Sequence, residues 1–175
     1  MTRLIALAFL ACAAASAHAA GRPKLPIVEK ALRLKPGQFV WDAKADMTGP
    51  VFLVIDLRAQ RLLLYRNTVP IAASTISTGS DGRETPTGVF TILQKEVVHR
   101  SRTYDDAPMP YMQRLTWKGV SMHAGHLPGY AASHGCIRLP KGFAKLLYGV
   151  TKIGTPVMIT DSRAAAAAAS TRPRK

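Results

Sequence analysis

Apolar residues gather in the middle of the chain as short runs, each closed by glycine, proline, asparagine or a polar break. "VFLVIDLRAQRLLLYRN" sets two runs of β-branched, leucine and aromatic residues around Arg58, Ala59 and Gln60. That pattern predicts a β-hairpin. "PIAASTIST", "GVFTILQKEVV", "RLTWKGVSMHA" and "TPVMIT" each predict one further strand, short and turn-bounded as strands of a sandwich or barrel are. One later segment has helical spacing. In "LPKGFAKLLYG", Pro140 suits a first turn, Phe143, Leu146 and Leu147 fall on one face, and Gly149 ends it. "IVEKALRL" predicts a short helix ahead of "KPGQFVWD". The expected class is mainly β, a β-sandwich with one or two short helices and no internal repeat.

The ends of the 175-residue chain differ from its middle. "MTRLIALAFLACAAASAHAA" combines Arg3, an apolar run from Leu4 to Ala15 and the small-x-small end Ala17, His18, Ala19. This predicts a secretory signal peptide over residues 1–19, cut after Ala19. The run is shorter than the roughly 20 residues that span a bilayer, so no stable membrane anchor is expected. Phe9 in "FLAC" and the shortness of the run weigh against lipidation at Cys12. Residues 20–48 read as a linker that packs partly on a domain over 49–161, and "SRAAAAAASTRPRK" as a low-complexity, disordered tail from 162 to 175. Export places the protein in the periplasm or cell envelope. Cys136 is then the one cysteine of the mature chain and has no intrachain partner.

The formal charge of +14, or +13 once Arg3 is lost, suits a polyanionic envelope partner and, outside the cytoplasm, excludes nucleic acid. The charges are spread without a run of like sign. An ordinary basic surface accounts for them equally well.

"SMHAGHLPGYAASHGCIRLP" brings His123, His126, His134 and Cys136 close together, and three readings compete. These are four nominal zinc ligands, a buried structural cysteine among surface histidines, or a cysteine nucleophile with a histidine base. Pro128 and two glycines interrupt "HLPGYAASHGC", unlike the helix or knuckle that usually carries zinc pairs. For the nucleophile, an imidazolium or backbone N–H groups would populate the thiolate. The N–H groups of His134, Gly135 and Cys136 would hold an oxyanion, and Arg138 would offer a planar fork to a carboxylate.

"MHAG" followed by "SHGCIR" resembles the active-site signature of the L,D-transpeptidases with the YkuD-type catalytic domain (ErfK/YbiS/YcfS/YnhG-like). "VIDLRAQRLLLYRN", "STGSDGRETPTGVFTI" and "APMPYMQRL" match that family's further segments in order, so the likeness runs from Gly49 to Asp161. It implies an exported peptidoglycan enzyme in which Cys136 is the nucleophile and His123 the proton donor and acceptor, its ring oriented by the Ala124 carbonyl. It further implies that Ser133, His134 and Gly135 line the site and shape the oxyanion loop, and that Arg138 meets a stem-peptide carboxylate. A loop over the cleft would carry Tyr104, Met109 and Tyr111, with Met109 and Tyr111 as substrate contacts, although plain packing explains each as well.

Metal and organic cofactors are not needed for this chemistry. The expected partners are peptidoglycan stem peptides, an envelope-protein lysine as an alternative acyl acceptor, and carbapenem-type inhibitors. Water as acceptor would make the protein an L,D-carboxypeptidase. A wall-binding or zinc-stabilised module without turnover is the other alternative. The loop after His123 is shorter than in one branch of the family and holds His126, a second candidate base that otherwise reads as a solvated loop residue. Thr85, Pro86, Thr87 and Gly88 read as a turn without chemistry, Asp81 and Glu84 as water-exposed, and Trp41 and Trp117 as core or groove wall.

Overall fold

The structure, a computed structural model, describes residues 26–45 and 48–161. The expected signal peptide, Cys12 and the expected tail lie outside the described residues. Two sheets and two short helices make the fold mainly β. Helix α1 (Pro26–Leu32) and strand β1 (Phe39–Trp41) precede the predicted hairpin, β2 (Val51–Asp56) and β3 (Arg61–Arg66), and strand β4 (Val69–Thr75) follows it. Strands β5 (Gly88–Thr91), β6 (Gln94–Glu96), β7 (Met112–Arg114), β8 (Ser121–Ala124) and β9 (Ile137–Leu139) lead to α2 (Lys141–Val150) and β10 (Pro156–Thr160).

The larger sheet runs β1-β4-β3-β2-β10-β5 and the smaller β6-β7-β8-β9. In β2 and β3, opposed Leu53–Leu64 and Ile55–Leu62 pairs point inward and are fully buried. That alternation is what a sheet covered on one face requires. The hairpin turn is held by the Asp56 carboxylate, which accepts from the Arg58 and Ala59 N–H groups at 2.9 Å. The inner faces of both sheets meet α2 in one core containing Leu53, Leu62, Met122, Ile137, Phe143 and Leu147. On the outer side of the larger sheet, α1 packs Ile27 and Ala31 against Ala73 of β4. The "KPGQFVWD" segment thus adds an edge strand, with Phe39–Trp41 antiparallel to β4.

Two apolar segments differ from their one-strand expectation. "GVFTILQKEVV" divides between sheets: β5 pairs with β10 and β6 with β7. The crossing lies at Ile92 and Leu93, whose N–H groups donate to Thr155 and Arg114 respectively. "RLTWKGVSMHA" is a hairpin, with β7 and β8 antiparallel and Trp117 at its tip, 74% exposed. A continuous apolar run satisfies either sheet, so hydrophobicity alone marks neither break.

Helix α2 runs one residue past Gly149, and Leu146 turns outward, 41% exposed, while Phe143 and Leu147 are buried. Lys95 on β6 ties the end of this helix to the smaller sheet, donating to the Tyr148 and Thr151 carbonyls at 2.7 and 2.5 Å, which satisfies groups a helix C-terminus leaves open. Phe143 packs its ring against Phe39 and Trp41, centroids at 5.6 and 5.8 Å. Phe143→Ala is expected to cost about 3–5 kcal/mol, read as a lower urea midpoint with an unchanged slope.

Candidate active site

Strands β8 and β9 run parallel, with Met122 opposite Ile137 and His123 opposite Arg138. Period two then divides their side chains. Met122, Ile137 and Leu139 enter the core, each fully buried. Ser121, His123, Cys136 and Arg138 face a cleft of about 1220 Å³. The cleft lies beside the hairpin loop that follows β6, which is closed by an Arg100–Pro108 bridge. Basic side chains of Arg100, Arg102, Arg114, Lys118, Arg138 and Lys141 line it, against the single carboxylate of Glu96. This lining gives the cleft a positive potential.

His123 is 8% exposed, and its Nδ1–H donates to the Ala124 carbonyl at 2.9 Å. A carbonyl only accepts, so Nε2 is left as the basic nitrogen. Burial lowers the His123 pKa, and the positive charge of Arg138 lowers it further, while the Ala124 bond acts the other way. Burial raises the Cys136 pKa, opposed by the Ser121 backbone N–H and the charges of Arg138 and Arg114. Both shifts favour the neutral forms. The thiol donates to the Gly119 carbonyl at 3.5 Å.

The loop before the cysteine is held on all sides. Ser133 is buried and its hydroxyl donates to the Cys136 carbonyl while accepting from the Gly135 N–H at 3.1 Å. This corrects the expected oxyanion set: the Gly135 N–H is already committed, which leaves those of His134 and Cys136. Gly135 has φ +111°, a conformation that side chains resist.

Thr85 braces the loop from the turn expected to carry no chemistry. Its hydroxyl donates to the Gly135 carbonyl at 2.9 Å and accepts from the Gly79 N–H at 2.9 Å. Any Cβ on Gly79 would lie 2.0 Å from the Arg83 carbonyl. The turn thus needs glycine there to close. Asp81 and Glu84 in the same turn are exposed.

His134 stands at the cleft edge with its ring stacked on Tyr104, centroids 4.4 Å apart. Met109 is buried and lines the cleft, as exposed His126 does. Tyr111 is the exception among the expected substrate contacts. It is not among the cleft-lining residues, and its ring lies 6.0 Å from that of Tyr148, packed on the core. A φ of +56° at Tyr111 turns the chain there. Trp41 packs on the core and Trp117 lines the cleft.

Among the described residues, no three His, Cys, Asp or Glu side chains converge as a metal would require. No described helix is long and apolar enough to cross a membrane. Ser121, Arg114, Glu96 and His99 also line the cleft and were missed. Ser121 was legible as the polar position two residues before His123 in "SMH"; Arg114 becomes visible only through its pairing with Ser121 across β7 and β8.

The family description of the L,D-transpeptidase catalytic domain (YkuD) matches residues 50–159. The chain belongs to this family. Solved structures agree: an L,D-transpeptidase from Stackebrandtia nassauensis is similar at 25% identity and TM-score 0.59, over 69% of this chain and 60% of that one. An L,D-transpeptidase from Mycobacterium smegmatis has 28% identity and TM-score 0.57, over 63% and 58%. The L,D-transpeptidase LdtMt1, solved in complex with imipenem, has 27% identity and TM-score 0.57, over 63% and 58%. The chain thus spans about three fifths of the solved chains it resembles. No curated protein matches it.

Two outcomes follow from this geometry. Thr85→Val keeps the shape but strands the Gly135 carbonyl and Gly79 N–H, which is expected to cost about 1–3 kcal/mol in urea unfolding and to slow reaction at Cys136. Because the cysteine pKa is raised and the histidine pKa lowered, alkylation of Cys136 by iodoacetamide should climb with pH beyond the ordinary thiol range. A plateau between about pH 5 and 7, typical of a resting thiolate–imidazolium pair, would contradict this.

Proposed function

We propose that the protein is an L,D-transpeptidase acting on peptidoglycan stem peptides through a thioester at Cys136. The observation that carries this reading is the strand face shared by Cys136, His123 and Arg138 in a basic cleft. His123 Nε2 takes the thiol proton as Sγ adds to the carbonyl of the third, diamino-acid residue of a tetrapeptide stem. The N–H groups of His134 and Cys136 receive the developing oxyanion. Collapse breaks the amide bond, His123 returns the proton to the leaving amine, and terminal D-alanine departs.

An amine then attacks the thioester, gives a proton to His123 and frees the thiol. A second stem's side-chain amine yields a 3-3 cross-link, and a lysine of an envelope protein would tether that protein to the wall. Water as acceptor would give L,D-carboxypeptidase action. The branch assignment, ErfK/YbiS/YcfS/YnhG-like, rests on "SHGCIR". An exported, periplasmic location rests on the signal-like first 19 residues. Since LdtMt1 was solved with imipenem, carbapenem acylation of this chain is also expected.

Intact mass spectrometry tests the reading. A tetrapeptide stem or carbapenem should add one acyl group per chain, and Cys136→Ala should abolish the adduct. His123→Ala should slow acylation by about 10²–10⁴; full activity in that variant would move the base to His126. A wild-type chain that forms no adduct with either reagent would sink the thioester.

A further inference from the structure

Arg114 stands in the same cross-sheet row as the nucleophile. It pairs with Ser121 across β7 and β8, and the Ser121 backbone N–H faces the Cys136 sulfur from the next strand. With strands about 4.8 Å apart, the Arg114 backbone lies about 10 Å from that of Cys136, within reach of an arginine side chain. Arg138 lies along β9 instead, two residues beyond the cysteine and opposite His123. Two guanidinium groups thus flank one sulfur from different directions, and the charge of each stabilises its thiolate.

The Arg114 side chain is tethered at one edge. Its Nε donates to Gln94 Oε1 at 2.7 Å, and Gln94 Nε2 donates to Glu96 Oε1. Glu96 is held in turn by the His99 ring, 2.6 Å from its other oxygen. That bond, with smaller help from Gln94 and Arg114, keeps the Glu96 carboxyl below its ordinary range. The relay uses Nε, and the guanidinium lies over the Trp117 ring, 5.8 Å from its centroid; among the described residues its two terminal nitrogens have no hydrogen-bond partner. Glu96 is paired with His99 and Asp106 with Arg100, and Arg114 meets Glu96 through Gln94 rather than by a salt bridge of its own.

We infer that Arg114 binds the free α-carboxylate of the residue that leaves, while Arg138 serves the retained part of the stem. The inference rests on the transpeptidase reading above. A stem ending one residue beyond the scissile carbonyl carries a carboxylate on the leaving side. A planar guanidinium with both terminal nitrogens open fits that group in a bidentate manner. Arg114 is then a specificity residue that measures where the stem ends, and Gln94, Glu96 and His99 are positioning residues that aim it.

The test compares acyl-enzyme formation from a tetrapeptide stem with formation from the same stem ending in D-alaninamide. Wild type should prefer the acid by about ten- to a hundredfold, the worth of a charge-assisted contact. Arg114→Gln should bring the acid-to-amide ratio close to one, and Arg114→Lys should restore part of it. Gln94→Met, which frees the tether, should lower the ratio by an intermediate amount, a change that general loss of structure would not produce. Equal wild-type rates, or an undiminished preference in Arg114→Gln, would overturn the inference while leaving the transpeptidase reading intact. Failure of both stems, with Cys136 still alkylated by iodoacetamide, would overturn the transpeptidase reading itself.

Discussion

The parallel pairing of β8 with β9 is the constraint from which the site follows. Those four- and three-residue strands bury Met122, Ile137 and Leu139 on one side and hold Ser121, His123, Cys136 and Arg138 on the other. A slip of one residue would exchange the two sets, driving a histidine, a thiol and a guanidinium into an apolar core. The cost of that exchange is why so short a ladder has one register. Catalytic geometry and core packing are thus two faces of the same pairing, and α2 secures it by covering the inner face with Phe143 and Leu147.

The loop that delivers the cysteine depends on distant partners. Ser77 pairs with Arg138 and Gly79 with Ser133, so the chain leaving β4 runs alongside the entire motif. Thr85 then closes the space behind Gly135. In consequence the larger sheet, which carries none of the reacting groups, still positions them through the turn that follows its β4 strand.

The two apolar runs around "RAQ" made the hairpin legible, and the other short apolar runs with their turn residues made the mainly β class legible. The sheet switch at Ile92–Leu93 was not, because the residues on both sides of it are equally suited to a buried strand. Cys136, His123, Ser133, His134, Gly135 and Arg138 could be named from one contiguous motif and its upstream partner. The role of Thr85 could not, since its partner is 50 residues away and a threonine in a glycine-rich turn looks ordinary by itself. Tyr111 misled for the opposite reason: it neighbours Met109 in sequence, but a positive φ sends its ring toward Tyr148. The oxyanion donors were overcounted because only the folded loop shows that Ser133 already occupies the Gly135 N–H.

The thiol bonded to the Gly119 carbonyl has a further meaning for the lifetime of the protein. Oxidants and stray disulfides react with thiolate, and a half-buried cysteine whose pKa is raised presents less of it. A nucleophile kept permanently ionised would be worn down by peroxide between encounters with substrate. The shift that burial imposes on Cys136 thus favours durability of the sulfur over its resting reactivity.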